Sequence, residues 1–427
     1  MIYAIDFGTS NSLLGAAADK GVLHGPIPLD PDAKDPTILR SIMFFPDGAQ
    51  AFFGAKAIEE YVRHGQDERG GRLIRSVKKF LPQQSFSGTT IGGKTALLEE
   101  IIGIFLGEMR RRANAHFGQD VTRVVLGRPA RFAEDEASDK HAEKKLQRAA
   151  ALAGFTDITF CPEPIAAAYE FKSTLRDEKT VLVTDFGGGT SDFTVVRLRP
   201  LPHAFDPADV LSMGGLSIAG DALDGALMRK GISRHFGATV QYKVPFGSNV
   251  LTMPTHLMEK ICSPADISIL RERDTVEFFR DVQRWSLTDE DRQRMDQLFT
   301  LINDHIGFAV FEEIERTKIT LGMKAKDTFS FEHGDIAIEE RISAKDFEGY
   351  TAERVERILT TLDETVKKAG LENGDIDLIC ATGGTAKVPA IMRGLEQRFG
   401  ASKVRQHRHF HSVVEGLSRF ADSLPRR

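Results

Sequence analysis

The sequence predicts an α/β fold built from two similar lobes, and three observations predict it. Apolar strands alternate along the chain with helix-patterned segments. The turn after the first strand, AIDFGTSN at residues 4–11, is echoed by VTDFGGGTSD at residues 183–192. The aspartates of the two copies, Asp6 and Asp185, stand almost half the chain apart. That spacing fits two related lobes facing one another and is far longer than the roughly 20–50 residues of a solenoid repeat.

Each element has a local reason. Ile2 to Phe7 is apolar apart from Asp6, and Gly8 breaks it, so it reads as a strand. Residues 20–55 are rich in Pro, Gly and Asp and read as loops with short strands. Leu97, Leu98, Ile101, Ile102, Phe105, Leu106 and Met109 recur at helical spacing, which predicts an amphipathic helix over 94–117. Val121 to Leu126 is a strand, and Glu134 to Ala153 a helix with Gly154 as its C-cap. A short strand, Ile158 to Cys161, leads to a helix opened by Pro164. The pattern then restarts with strands at Thr180 to Phe186 and Phe193 to Leu198. Residues 237–256 are polar with Gly and Pro, and long helices are expected at 288–324 and 344–369. Ile376 to Ala381 is a strand, Gly383–Gly384 a turn, and Ala386 to Phe399 a helix.

Composition narrows the function. The 427 residues suggest two to three domains. A net charge of −5 argues against a general nucleic-acid binder, which needs clustered cations. The hydrophobic share of 41% and charged share of 27% fit a chain with a large core. Cys161, Cys262 and Cys380 form no CxxC pair, so neither a zinc ribbon nor a disulfide framework is expected. A reducing, cytoplasmic setting fits, with no leader pattern at MIYAIDFGTS, no membrane span and no membrane partner.

The turns carry the chemistry. In Asp6 to Ser12 a strand delivers an acid, Gly8 allows a tight turn, and the hydroxyls of Thr9, Ser10 and Ser12 are expected to point with Asn11 into one concave space. Converging N–H and O–H donors make a phosphate cradle, and Asp6 can hold magnesium through water. One copy alone would equally suit an ordinary hairpin. The second copy carries Gly187, Gly188 and Gly189, and three glycines in a row suit close approach of a ligand to the backbone. Asp185 and Asp192 flank it, with Thr190 between them. Gly383 and Gly384, followed by Thr385, again sit between a strand and a helix. No P-loop pattern and no dinucleotide fingerprint in a βαβ setting occur, which disfavours Walker ATPases and Rossmann dehydrogenases.

YAIDFGTSNS, VLVTDFGGGTSDF and ICATGGTAKVP resemble the two phosphate motifs and the adenosine motif of the actin-like ATPase superfamily. FCPEPIAAAYEF, RSVKKFL and FEEIERTKITL are similar to the connecting helix, the catalytic-lysine segment and the adenine-binding helix of seventy-kilodalton heat-shock (DnaK-type) chaperones. The resemblance covers nearly the whole chain and is strongest to short YegD-type members that consist of the nucleotide-binding domain. It implies an actin-like fold of two ribonuclease-H-like lobes, 1–175 and 176–427, with small subdomains at about 39–105 and 216–310 and no peptide-binding domain.

The resemblance also implies roles. The ligands are ATP or ADP with Mg2+, and K+ as the candidate monovalent cation. Asp6 and Asp185 would flank the magnesium or its waters, with Asp192 near the monovalent ion. Gly8, Thr9, Ser10, Asn11, Gly187, Gly188, Gly189 and Thr190 would meet the phosphates. Lys78, favoured over its neighbour Lys79 by register, would position the attacking water, and Glu163 would hold a magnesium-bound water or polarise the nucleophile. Pro129 matches a switch proline. Gly220, Asp221, Glu315, Lys318, Gly383, Gly384, Thr385 and Lys387 would hold the nucleoside. Ile319 and Lys387 stand where the family carries arginines that stack on adenine, and His411 stands where it has an acid, which predicts an altered base site. His407, His409 and His411 alternate as a metal site on a strand would, or as a solvated cluster would.

The expected activity is slow ATP hydrolysis, with nucleotide-gated lobe closure acting through a client or co-chaperone protein. The alternatives are an actin-like filament former and a small-molecule kinase on the same fold.

Overall fold

The computed structural model describes residues 1–64, 71–129, 131–133, 135–172, 175–200, 207–263, 266–304, 306–406 and 411–425. The chain divides into two compact units. The first comprises Met1–Ala219, Ile358–Ala386 and Met392–Arg427, and the second Gly220–Arg357 and Lys387–Ile391.

The first unit holds two sheets laid out on one plan. In the first sheet the strands are β1 (Ile2–Phe7), β2 (Asn11–Ala17), β3 (Leu23–His24), β4 (Leu39–Arg40), β5 (Arg123–Arg128) and β6 (Asp157–Pro162). Their order is β6-β5-β1-β2-β3, with β4 beside β2. The second sheet contains β7 (Lys179–Phe186), β8 (Ser191–Leu198), β9 (Val210–Leu216), β10 (Leu378–Thr382) and β11 (Val404–Gln406), in the order β9-β8-β7-β10-β11. In each, an antiparallel hairpin (β1 with β2, β7 with β8) is flanked by two parallel strands on one side and an antiparallel strand on the other. The turn repeated in the sequence is the hairpin turn of each sheet.

Strand alternation decides which side each residue serves. Tyr3, Ile5 and Phe7 enter one core with helix α1 (Leu98–Phe117) and helix α2 (Glu136–Leu152). Ile2 and Ala4 enter a second core that also contains Val181 and Val183 of β7, Val196 and Leu198 of β8, and Cys380 of β10. Helix α3 (Glu163–Lys172) contributes Ile165, Ala166 and Ala167 to it. By the same two-residue period, Asp6, Asp185 and Asp192 all belong to the layer of this second core. The small α3 residues permit close helix packing: a Cβ on Gly416 would meet the Ala166 carbonyl oxygen at 1.8 Å.

The second unit contains helix α4 (Gly220–Leu227), helix α5 (Gly307–Leu321), a β-hairpin of Lys326–His333 with Ile336–Ser343, and the first part of helix α6 (Ala344–Lys368). The helix expected over 288–324 is two helices, ending at Asn303 and restarting at Gly307. Gly307 packs so tightly that an added Cβ would meet Ile267 at 2.8 Å. The first turns of the expected 94–117 helix belong instead to a strand, Lys94–Leu97, paired with Gly88–Ile91. Cys161, Cys262 and Cys380 are buried, and none is in a disulfide. No helix among the described residues is long and apolar enough to cross a membrane.

Candidate functional site

The first turn is fixed by its register. Asp6 pairs with Leu13 and Phe7 with Ser12, leaving Gly8 to Asn11 as the turn. A Cβ on Gly8 would lie 2.1 Å from the Asn11 carbonyl oxygen, so only glycine fits. Ser12 does not join Thr9 and Ser10 as expected. It is fully buried, and its hydroxyl lies 2.9 Å from that of Ser41, which itself donates to the Gly8 carbonyl at 2.7 Å. The Ser41 backbone N–H donates to the Ser10 carbonyl as well. Ser41 thus braces the turn from behind, and nothing in its own local sequence announced it.

The second turn repeats the register one sheet later. Asp185 pairs with Asp192 and Phe186 with Ser191, again with four residues between. The equivalent of Ser191 is therefore Ser12, and the equivalent of Asp192 is Leu13; aligning the two Thr-Ser pairs by eye gives the wrong register. Gly187 N–H donates to the Thr190 carbonyl at 2.9 Å, and the Thr190 hydroxyl to Asp192 at 2.8 Å. Gly215 on β9 makes room for Asp192, since a Cβ there would lie 2.8 Å from its Oδ1. The two turns meet: a Cβ on Gly189 would be 3.5 Å from the Thr9 methyl.

The third glycine turn docks on the second. Gly383 has φ +85°, and its missing Cβ would lie 2.2 Å from the Phe186 carbonyl oxygen. Thr385 donates its hydroxyl to the Gly187 carbonyl at 2.8 Å. Thr382 lies opposite Asp185 in register, and its hydroxyl reaches Asp185 Oδ1 at 3.1 Å.

One lysine faces this acidic layer. Lys78 lies in a short 3-10 turn, Val77–Phe80, preceded by Ser76 in the left-handed region at φ 54°, a strained conformation of the kind found at functional sites. Lys78 is buried and donates to Glu163 at 2.7 Å, whereas Lys79 is exposed over the Phe80 ring. Glu163 is the first residue of α3, directly after β6. Burial, and then the charge of Glu163, push the Asp6 carboxyl up to about 8 against the pull of Lys78. The same two causes push Asp185 up to about 6, opposed by the Thr382 hydroxyl and Lys78. Asp192 rises to about 7, first by burial, with the Thr190 hydrogen bond opposing. Lys78 is held in its charged form by Glu163, Asp6 and Asp185 in spite of burial. Three carboxylates that resist ionisation around one ammonium form a site short of positive charge.

That donor set fits magnesium bound through water. Among the described residues, no three His, Cys, Asp or Glu side chains come close enough to hold a metal directly. Only the second turn leaves room beside its glycines: an added Cβ would meet the Thr190 carbonyl oxygen at 3.3 Å from Gly187 and the Thr9 methyl at 3.5 Å from Gly189. Of the three histidines, His407 and His409 lie outside the described residues, and His411 bonds the Thr37 hydroxyl at 3.1 Å.

Pro129 follows β5, where the Arg128 guanidinium pairs with Asp139 at 2.7 Å and with Glu143, and also reaches the Pro129 carbonyl. The Phe132 N–H joins the same Asp139 carboxylate. This network was not anticipated; its only sequence sign is an Arg beside a Pro with acids on the next helix.

The residues assigned to the nucleoside divide. Gly383, Gly384 and Thr385 belong to the first unit, and Lys387 to the second with Gly220, Asp221, Glu315 and Lys318. Gly220 and Asp221 open α4; Glu315 and Lys318 lie on α5. Lys318 bonds Asp224 of α4 at 2.8 Å, both side chains only 10% exposed, while Glu315 is exposed. Asp224 was not anticipated. Ile319 is 53% exposed on the same helix, and the Lys387 carbonyl lies 3.5 Å from where a Gly322 Cβ would be.

Residues 75–200 and 303–414, more than half of the chain, match the family model for the Hsp70 protein. The chain belongs to the Hsp70 family. Its two matched sheets are therefore the halves of an actin-like ATPase fold. The Hsp70 match takes in Lys78, Glu163, the second turn, the third turn, Glu315 and Lys318, and leaves out the first turn, Gly220 and Asp221. The chaperone protein DnaK of Halobacterium salinarum, from each of two strains, is 23% identical over 407 residues, covering 93% of this chain and 52% of the relative. The chain spans about half the length of these curated relatives.

Proposed function

We propose that the protein binds ATP with magnesium and hydrolyses it slowly, as a nucleotide-responsive member of the Hsp70 family. The buried Lys78–Glu163 pair carries the reading, because it sets one fixed ammonium among the three acids of two glycine turns. The phosphates engage Gly8 to Asn11 and Gly187 to Thr190; the residues that the family resemblance offers for the nucleoside are Gly383 to Thr385 in the first unit and Gly220, Asp221, Glu315, Lys318 and Lys387 in the second. Magnesium, held through water by Asp6 and Asp185, supplies neutralisation of phosphate charge. A potassium ion by Asp192 belongs to the same proposal.

The chain's own side chains do the rest by position and charge. Lys78 orients the attacking water and offsets charge on the transferred phosphoryl group. Glu163 holds Lys78 in place. Thr190, through Asp192, and Thr382, through Asp185, keep the acids aimed while they are charged. The proposal includes the division into lobes 1–175 and 176–427 that close on nucleotide, a cytoplasmic setting, and partner proteins as recipients of the signal. Family membership favours this over a filament former or a small-molecule kinase.

The test is phosphate release by the wild type beside Lys78→Ala and Asp185→Ala, with and without magnesium and candidate acceptors. Magnesium-dependent release lost in both variants is expected. Hydrolysis that survives both refutes the mechanism, and phosphate transferred to an acceptor replaces it with the kinase. The exposed Ile319, in place of a stacking arginine, predicts weak base selectivity: GTP and CTP should compete with ATP on nearly equal terms. Submicromolar, ATP-selective binding would contradict that.

A further inference from the structure

We propose that Ser41 and Thr385 are positioning residues for the phosphates: each holds back one turn carbonyl, so that the N–H of the next residue faces the bound anion. The inference rests on the nucleotide reading above. It adds Ser41, which no motif contains, and moves the Thr385 hydroxyl from the nucleoside to the phosphates.

The two hydroxyls act at equivalent places. Gly8 follows Phe7 in the first turn, and Gly187 follows Phe186 in the second. The Gly8 carbonyl accepts from the Ser41 hydroxyl at 2.7 Å, and the Gly187 carbonyl from the Thr385 hydroxyl at 2.8 Å. Both donor residues are buried. They come from unlike places. Ser41 lies between β4, antiparallel to β2, and the strand Ile42–Phe45. Thr385 lies in the 3-10 turn Gly384–Lys387 after β10, which is parallel to β7. The repeat of the two sheets therefore does not supply the contact. The same carbonyl is held twice by separate routes, so the reason lies at the carbonyl.

That reason is electrostatic. A peptide is planar and trans, so its C=O and the next N–H point opposite ways. Fixing the Gly8 carbonyl fixes the Thr9 N–H, and fixing the Gly187 carbonyl fixes the Gly188 N–H. Turned the other way, each peptide would present an oxygen to an anion; as held, it presents a donor. The Gly187–Gly188 peptide has glycine on both sides and little intrinsic preference against a flip, whereas the Thr9 side chain restricts the first turn. Apparent affinity for phosphate scales with the fraction of turns in the competent orientation.

The experiment measures binding of inorganic tripolyphosphate and of ATP, each with magnesium, to the full chain. Thr385→Val and Ser41→Ala should each weaken both ligands by the same factor, about five- to tenfold, the shift that one net hydrogen bond gives a two-state equilibrium. Thr385→Val should show the larger loss. Thr385→Ser keeps a hydroxyl and should bind both ligands within about twofold of the wild type. Ser12→Ala removes another buried hydroxyl of the Ser41 network but leaves the Ser41 to Gly8 bond. It should also stay within about twofold, which separates phosphate positioning from a merely structural role. Weakening of ATP alone in Thr385→Val would return that hydroxyl to the nucleoside and overturn the proposal. Unchanged tripolyphosphate affinity in Thr385→Val or in Ser41→Ala overturns it too, as does a loss in Thr385→Ser as deep as in Thr385→Val. In each of these cases ATP binding by the wild type stands. A wild type that binds neither ATP nor tripolyphosphate overturns the nucleotide reading and this inference with it.

Discussion

The two Asp-Phe-Gly turns share a register and differ in what fills it. Each places an acid at the strand end, four residues in the turn, and a buried serine opposite the phenylalanine. The first fills its turn with side chains: Thr9, Ser10 and Asn11 follow one glycine. The second fills it with bare backbone, Gly187 to Gly189, and then Thr190. Where the first has Leu13, the second has Asp192, so the second carries two acids and the first one. The difference suggests a division of labour. The first turn offers hydroxyls and an amide, while the second offers N–H groups and most of the negative charge. Lys78 acts on the acids of both.

Removing that shared cation should have the largest effect. Lys78→Ala should lower ATP turnover at least about a hundredfold, the scale seen when a preorganised charge is taken from a transition state. Binding of nucleotide should persist, because the glycine turns remain. A variant that hydrolyses within a few-fold of the wild type would show that the two turns do not work through Lys78.

The glycines allow a sharper contrast. Gly8 is required by the fold, since its Cβ would strike the Asn11 carbonyl at 2.1 Å. Gly8→Ala should cost about 2 kcal/mol or more of stability, read from urea melts. Gly189 is not required by the fold: its Cβ would meet only the Thr9 methyl at an ordinary 3.5 Å. Gly189→Ala should change stability by less than about 0.5 kcal/mol and yet weaken ATP binding. If Gly189→Ala binds ATP as the wild type does, the second turn is not a backbone cradle.

The acids separate by pH. The carboxyl of Asp6 is raised to about 8 and that of Asp185 to about 6, whereas the unfolded chain titrates near 4. Between these values the folded chain keeps protons that the unfolded chain has released, so stability falls as pH rises, up to about 6 for Asp185 and about 8 for Asp6. Asp192, raised to about 7, adds to the middle of the window. In chelator, Asp6→Asn should flatten the loss between pH 7 and 8, and Asp185→Asn only the loss below pH 6. Equal slopes for Asp6→Asn and wild type above pH 7 would contradict the placement of Asp6 as the most strongly suppressed acid.

How much of this was legible follows from range. The acids and glycines could be read because strand, turn and acid are contiguous, and because the turn occurs twice. Ser41, Asp224, Gly215 and the Arg128 network could not, because each acts on a residue from another segment and has an ordinary local setting. The Lys78 register was a preference between two adjacent lysines; only packing buries one and exposes the other. The two segments share Thr-Ser letters, yet the hairpin ladders, which set Ser12 opposite Phe7 and Ser191 opposite Phe186, make Ser12 and not Ser10 the counterpart of Ser191.

That last correction yields the smallest and most specific test. Ser12 and Ser191 are both fully buried, and both tie the hairpin to a neighbouring segment. The single proton of Ser41 goes to the Gly8 carbonyl, so Ser12 must donate to Ser41. Ser12→Ala then removes one donor and leaves the Ser41 to Gly8 bond standing, at a cost below about 1 kcal/mol. Ser191 donates to the Ile218 carbonyl at 2.7 Å. Ser191→Ala takes that donor away from a backbone acceptor, at about 1–2 kcal/mol. Denaturant melts of the two variants should differ in that order. Had Ser10 been the true counterpart of Ser191, Ser10→Ala would destabilise as Ser191→Ala does; the register found here predicts that Ser10→Ala leaves stability nearly unchanged, because Ser10 is tied to Ser41 through its backbone carbonyl and the substitution keeps that bond.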